Sequence, residues 1–354
     1  MKTILITGGC GFVGSNLAIN FKRDYPDTRI IAFDNLKRMG SELNISRLRE
    51  IGVEFMHGDI RNKEDFNEIG EISTLIEAAA EPSVLSGINS TTDYVINTNL
   101  LGTINCLNFA VKHKANFIFL STSRIYPVSS LNEILYENGE TRFNILNNQN
   151  IPGVSKNGIN EKFPINGFRS FYGTSKLSSE QFIQEYAEFY GLKSVINRCG
   201  VITGPWQMGK IDQGVVVLWL AKHYWKKELS YIGFGGEGKQ LRDIIHVSDL
   251  YKLIKIQMND IDKYNKEIYN VGGGENISVS LRELTSLCEE ITGNNIKIKS
   301  IAENRIADIP LYITDNSKIT SVSGWKPEIS AKEILIDVFE WINANETNLK
   351  KILN

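Results

Sequence analysis

Thr7-Gly8-Gly9-Cys10-Gly11-Phe12-Val13-Gly14 comes directly after the β-branched run Thr3 to Thr7 and opens a segment of helical periodicity. Glycines at 8, 11 and 14 suit a tight turn, a close approach of backbone to a pyrophosphate and the packing of a helix on a sheet. Phosphates held there would sit on a helix N-terminus, where unpaired amides and the helix dipole attract anions. Alone, the glycine triplet is equally compatible with an ordinary strand-to-helix turn.

The next two strands tip the balance. The second ends at Asp34, about twenty residues beyond Gly14, where an acidic residue is expected to hydrogen-bond the adenosine ribose. A carboxylate there accepts from both ribose hydroxyls and repels a 2′-phosphate, so NAD is expected over NADP. Lys37 and Arg38 lie close by and read as a solvated loop. His57-Gly58-Asp59-Ile60 closes the third strand, with Asp59 suited to the adenine amino group and a plain turn aspartate as the alternative. The candidate cofactor-binding set is Gly8, Gly11, Phe12, Val13, Gly14, Asp34, Asn35, Asp59, Ile60 and Ala78, together with Tyr172 and Lys176.

Further along, short β-branched runs alternate with segments of helical length. Thr3 to Thr7, Arg29 to Phe33, Val53 to Met56, Thr74 to Glu77, Asn116 to Leu120 and Ser194 to Asn197 read as strands, which implies βαβ units and a parallel sheet. The expected fold class is α/β, a Rossmann-type doubly wound parallel sheet with a smaller C-terminal α/β substrate-binding lobe. The lobes are expected to interleave: residues 1–197 and 240–272 form the dinucleotide domain, and 198–239 and 273–354 form the substrate lobe. Helices are expected at Leu281 to Thr292 and Ala331 to Ala344, and the tail from Glu346 reads as solvated.

Composition excludes several classes. The chain has 354 residues, 42% hydrophobic and 23% charged, enough to bury a large core. A net charge of −2 gives no broad basic field, so no nucleic-acid partner is expected. Ile4-Leu5-Ile6 and Val215 to Ala221 are too short for a signal segment or a membrane span, so neither a membrane partner nor export is expected. Cys10, Cys106, Cys199 and Cys288 form no CxxC pair and the four histidines are scattered; no metal is expected, and a reducing cytoplasm fits.

Tyr172-Gly173-Thr174-Ser175-Lys176 sets a phenol and an ammonium four residues apart, on one face of the helix that runs on through Tyr186. An ammonium near a phenol favours the phenolate, turning a group with an ordinary pKa of about 10 into a usable base. Removing hydride from a secondary alcohol needs such a base. Upstream, the fifth strand runs out into Ser121-Thr122-Ser123-Arg124-Ile125-Tyr126, and the carboxyl ends of strands face the ligand crevice of doubly wound sheets. Thr122 suits sharing a proton between a substrate hydroxyl and Tyr172, or capping the end of its strand.

Together with Asn99-Leu100-Leu101-Gly102-Thr103-Ile104-Asn105, Gly235 to Asp243, Tyr269-Asn270-Val271-Gly272-Gly273 and Gly324-Trp325-Lys326-Pro327, these motifs make the chain resemble the nucleotide-sugar epimerase/dehydratase branch of the extended short-chain dehydrogenases over nearly its full length. The resemblance implies that Thr122, Tyr172 and Lys176 are catalytic, that Asn99 supports the cofactor site, and that Arg242 and Arg305 meet the substrate diphosphate or nucleotide. Ser123, Arg124, Arg198 and Gln213 complete the expected substrate contacts. The long spacing from Thr122 to Tyr172, with Glu140 to Phe143, Gly158 to Glu161 and Asp212-Gln213-Gly214, is most similar to the CDP-paratose 2-epimerases, also called CDP-tyvelose epimerases.

Three departures narrow the reading. Dehydratases of this branch carry an Asp-Glu pair after the catalytic threonine, and this chain has Ser123 and Arg124, which discounts a 4,6-dehydratase and weighs against a sugar-acid decarboxylase. The branch's HxA at the end of the fourth strand reads Glu77-Ala78-Ala79, and Val201 stands where an asparagine is usual. The implied reaction is transient oxidation: Tyr172 takes a hydroxyl proton, the sugar carbon gives hydride to NAD, and the hydride returns to the other face of the keto sugar. A CDP-sugar inverted at C2 is the preferred substrate. A UDP-sugar inverted at C4 is the alternative, and a net dehydrogenase or a catalytically silent nucleotide-binding regulator are the rival classes. A homodimer or homotetramer is expected.

Overall fold

The computed structural model describes residues 2–88, 90–209 and 213–353. The chain divides into two compact units. The first runs to Ile125 and takes in Ser170–Arg198 and Leu250–Tyr269; the second takes in Tyr126–Arg169, Cys199–Asp249 and the chain from Asn270 onward.

The first unit is built on β1 (Thr3–Thr7), α1 (Phe12–Asp24), β2 (Arg29–Asp34), α2 (Asn44–Glu50), β3 (Glu54–His57), β4 (Thr74–Glu77), α3 (Gly102–Lys112), β5 (Asn116–Thr122), α4 (Phe171–Phe189), β6 (Ser194–Cys199), α5 (Val247–Asn259) and β7 (Glu267–Val271). The sheet order is β7-β6-β5-β4-β1-β2-β3, with β1 to β5 joined by parallel pairings. Reversal of strand order between β1 and β4 is the doubly wound arrangement of a Rossmann-type sheet. The expected strands all form, several a residue or two longer, and β7 adds a seventh at the edge.

These strands are nearly continuous apolar runs because helices cover both faces of the sheet. On one face Leu5, Ile31, Phe33, Leu75, Phe117 and Phe119 pack against Cys106, Leu107, Phe109 and Ala110 of α3. Phe33, Phe66 and Phe109 form an aromatic chain with ring centroids 5.2 and 5.1 Å apart. All four cysteines are free and buried.

In the second unit the strand Leu241–His246 pairs in parallel with Val201–Thr203 and Leu311–Tyr312 and antiparallel with Ser278–Ser280. These pairings and the unit boundary at Asp249 put residues 240–249 with the second unit, where the sequence pattern assigns 240–272 to the first. The helices Leu281–Thr292 and Ala331–Ala344 have the expected bounds, and each opens on a capping box, Ser280 with Glu283 and Ser330 with Glu333. The segment between Thr122 and Tyr172 is also knitted into this unit. Arg142 forks onto Glu283 and bonds Ser278, Ile159 pairs its amide with the Ile313 carbonyl, and Asn270 bonds both Glu161 and Ile159.

The tail differs from expectation. Glu346–Leu353 is a helix whose Leu349 and Leu353, four residues apart, are buried. Among the described residues no helix is long and apolar enough to cross a membrane.

Candidate active site

The glycine turn is shaped by its own backbone. Gly8 has φ of +66°, and a Cβ on Gly14 would lie 2.2 Å from the Gly8 carbonyl oxygen. The Gly11 amide donates to that same oxygen at 2.9 Å. Helix α1 therefore starts tight under the turn, with Gly11 as an N-cap that brings no side chain over the first amides. Phe12, Val13 and Gly14 form that first turn, whose amides have no acceptor within the helix. A bare helix start in a turn too narrow for side chains fits the pyrophosphate of a dinucleotide.

Asp34, at the end of β2, accepts the Cys10 amide at 3.0 Å and the Leu36 amide at 2.8 Å, which fixes its carboxylate beside the turn. Burial raises its pKa above the usual carboxylate value, and the backbone amides pull the other way. Asn35 donates to Asp59 at 2.9 Å, bringing two expected adenosine-side residues together. Burial also works against ionisation of Asp59, but hydrogen bonds from the Arg61 guanidinium and amide and from Asn35, with the Arg61 charge, outweigh this and hold the carboxyl down at about 2. Ile60 packs where a Cβ on Gly102 would stand, and Asn105 bonds the Ile60 and Arg61 carbonyls, tying this loop to α3. Ala78 donates its amide to Thr7, at the β1 and β4 ends under the turn.

A second cluster surrounds α4. Its N-cap Ser170 accepts the Gly173 amide at 3.1 Å, which puts Tyr172 in the first turn and Lys176 one turn later. Tyr172 is half-buried, and Lys176 is 1% exposed with its ammonium 3.7 Å from the centre of the Phe119 ring of β5. Two residues on from Phe119's neighbour Leu120, β5 ends at Thr122, buried, with its hydroxyl accepting the Arg124 amide at 3.1 Å. Ser123 and Arg124 are half-buried in the 3-10 turn that comes next. The first unit thus carries Thr122, Tyr172 and Lys176 on two elements packed against each other, α4 and β5.

Asn99 lies in a π-helical segment, Asn97–Leu101, that leads into α3. Its side chain holds the Glu81 backbone on both sides and donates to Ser175 at 3.1 Å; its carbonyl accepts from Thr103 and Ser179, both at 2.7 Å. A π-bulge frees backbone groups from the regular ladder, and here hydroxyls from α3 and α4 take up the freed carbonyl. The contacts of Glu81, Thr103, Ser175 and Ser179 with Asn99 carry no signal in the sequence, because only tertiary packing makes them.

Arg198 has a different setting from the one expected of it. Its guanidinium is buried against Glu180 of α4, with bonds of 2.7 to 3.2 Å, and Ser121 donates to the same carboxylate. A guanidinium so engaged has its charge answered inside the sheet unit and is not among the proposed substrate contacts. In the second unit, Arg242 bonds the Ile309 carbonyl at 2.7 Å and reaches Asp308 at 3.4 Å, on the loop that carries the exposed Arg305. Gln213 is half-buried just before the helix Val215–Tyr224, and Asp212 lies outside the described residues. Among the described residues no three His, Cys, Asp or Glu side chains group as a metal site.

The family model described as NAD dependent epimerase/dehydratase family matches residues 4–272. A CDP-paratose 2-epimerase from Salmonella typhi is 32% identical, over 96% of this chain and 99% of that protein. A putative UDP-glucose 4-epimerase from Methanocaldococcus jannaschii is 30% identical, over 97% and 99%. The crystal structure of a dTDP-glucose 4,6-dehydratase from Bacillus anthracis in complex with NAD superposes with a TM-score of 0.75 at 24% identity, covering 99% of this chain and all of that one.

Proposed function

We propose that this chain, which belongs to the NAD-dependent epimerase/dehydratase family, inverts one carbinol of a nucleotide-diphosphate sugar, with C2 of a CDP-linked sugar as the first choice. The observation that carries the reading is the buried Lys176 ammonium one helical turn beyond Tyr172, on a helix packed against the strand that ends in Thr122. The cofactor of the family is NAD, which when bound supplies the acceptor and donor of a hydride. Tyr172 takes the proton of the reacting hydroxyl and returns it. The ammonium of Lys176 and the positive end of α4 both stabilise negative charge on the phenol oxygen. Thr122 hydrogen-bonds the same hydroxyl and orients it.

Inversion by oxidation and return of hydride needs no further acid or base. Ser123 and Arg124 come directly after Thr122, so the side chains there bring no carboxylate of the kind that elimination requires. Arg242 and Arg305 suit the diphosphate, because a planar guanidinium pairs with phosphate oxygens two at a time. The similarity to the Salmonella enzyme supports a CDP-sugar and C2; the similarity to the Methanocaldococcus protein keeps a UDP-sugar and C4 as the second reading. A cytoplasmic homodimer or homotetramer completes the proposal.

The test is product stereochemistry by NMR after incubation of the purified protein with CDP- and UDP-sugars. An inverted product without stoichiometric NADH supports epimerisation; a stoichiometric NADH change, or no reaction with any sugar, favours the rival classes. Tyr172→Phe should lower turnover by roughly 10²-fold or more with NAD still bound, and near-normal turnover would refute the assignment.

A further inference from the structure

Glu77 closes β4, in register with Thr7 of β1 and Phe119 of β5. It is fully buried. One carboxylate oxygen accepts the Thr103 hydroxyl at 2.6 Å; the other has no protein hydrogen-bond partner, and neither has the hydroxyl of its register partner Thr7. The Lys176 ammonium lies on Phe119, the next ring along the sheet from Glu77. Burial pushes the Glu77 carboxyl up to about 7, and the charge of Lys176 pulls it back. The other ionisable group facing it is the Cys106 thiol of α3, which burial and Glu77 together raise well above its ordinary value. The Thr103 hydroxyl shares its one proton between Glu77 and the Asn99 carbonyl, and Asn99 in turn holds Ser175, the neighbour of Lys176.

We propose that Glu77 is a positioning residue for the catalytic pair: its carboxylate is the counter-ion that keeps Lys176 an ammonium, a role that rests on the catalytic reading of Tyr172 and Lys176. A lysine buried to this degree sheds its proton unless an opposite charge shares its surroundings. Losing that proton removes the charge that favours the phenolate of Tyr172. The family pattern has histidine at this position, a side chain with no negative charge to give, so in this chain the carboxylate adds a charge that the pattern lacks.

The experiment is the pH profile of kcat for the NAD-loaded wild type, Glu77→Gln and Glu77→Asp, with bound NAD measured in each. The alkaline limb of Glu77→Gln should move down by about one pH unit or more, while Glu77→Asp, which keeps a carboxylate, should stay nearer the wild-type limb. The gap between wild type and Glu77→Gln should open as the pH rises through about 7, where wild-type Glu77 ionises. An unmoved limb in Glu77→Gln overturns the proposal, as does an equal displacement in Glu77→Asp, which would make packing the cause. Glu77→His is uncharged on the alkaline side and reads the same limb if the glutamine variant fails to fold. Normal turnover by Tyr172→Phe would sink the underlying assignment; loss of turnover there with an unmoved limb in Glu77→Gln sinks this inference alone.

Discussion

Glu180 and Glu77 are both fully buried carboxylates of the sheet unit, and each faces a buried cation, yet they are finished differently. Glu180 is closed: Ser121 takes one oxygen, and the Arg198 fork covers both. Glu77 is open, with one oxygen on Thr103 and the other without a protein partner. A closed pair offsets the loss of hydration with hydrogen bonds and serves as architecture. An open pair leaves a charge whose state still answers to pH and to neighbouring charges, as the counter-ion role proposed for Glu77 beside Lys176 requires.

The comparison breaks most visibly at Glu180. Glu180→Gln strands the Arg198 guanidinium in the core, and urea unfolding should show a loss of about 3–5 kcal/mol; a loss below about 1 kcal/mol would mean that the pair is not closed. The next effect is on how stability depends on pH. Folded Glu77 holds its proton up to about 7, above the ordinary glutamate value of 4.5. Between those two values the folded state binds more protons than the unfolded one, so stability falls as pH rises, by about 3 kcal/mol. Subtracting the Glu77→Gln curve from the wild-type curve should isolate that slope, and a flat difference would contradict the open state of Glu77. Smallest is the surface control: Lys332 meets Glu290 at 2.6 Å with both side chains about half exposed. Lys332→Ala should change stability by less than about 0.5 kcal/mol, which sharpens the contrast by showing that burial, not short distance, gives these pairs their weight.

The two carboxylates also mark where sequence reading reaches its limit. The placement of Gly8, Gly11, Gly14 and Asp34 is legible because it comes from a strand, a turn and a helix adjacent in the chain. The shared helix of Tyr172 and Lys176 is legible for the same local reason, a spacing of one helical turn. Glu180 and Arg198 are 18 residues apart on a helix and a strand, and only the packing of α4 on the sheet makes them partners; an arginine at a strand's carboxyl end therefore reads as a ligand contact. Glu77 stands out in the sequence as a departure from its family's pattern, but its meaning depends on Lys176, some hundred residues on in the chain. The segment from Tyr126 to Arg169 carries two short hairpins whose anchors, such as Glu283 for Arg142, lie more than a hundred residues away. The tail reads as solvated because polar residues surround Leu349 and Leu353, although their spacing is that of a one-sided helix.

The four buried thiols have a practical consequence. Burial pushes Cys10 up to about 12 and raises Cys106 and Cys288 as well, so at neutral pH these three carry almost no thiolate and present little surface to a reagent. Alkylation would then have to wait for the fold to breathe. Because Cys10 lies in the glycine turn, Cys106 in α3 and Cys288 in a helix of the second unit, the order in which they become labelled would time the opening of separate parts of the molecule without any introduced probe.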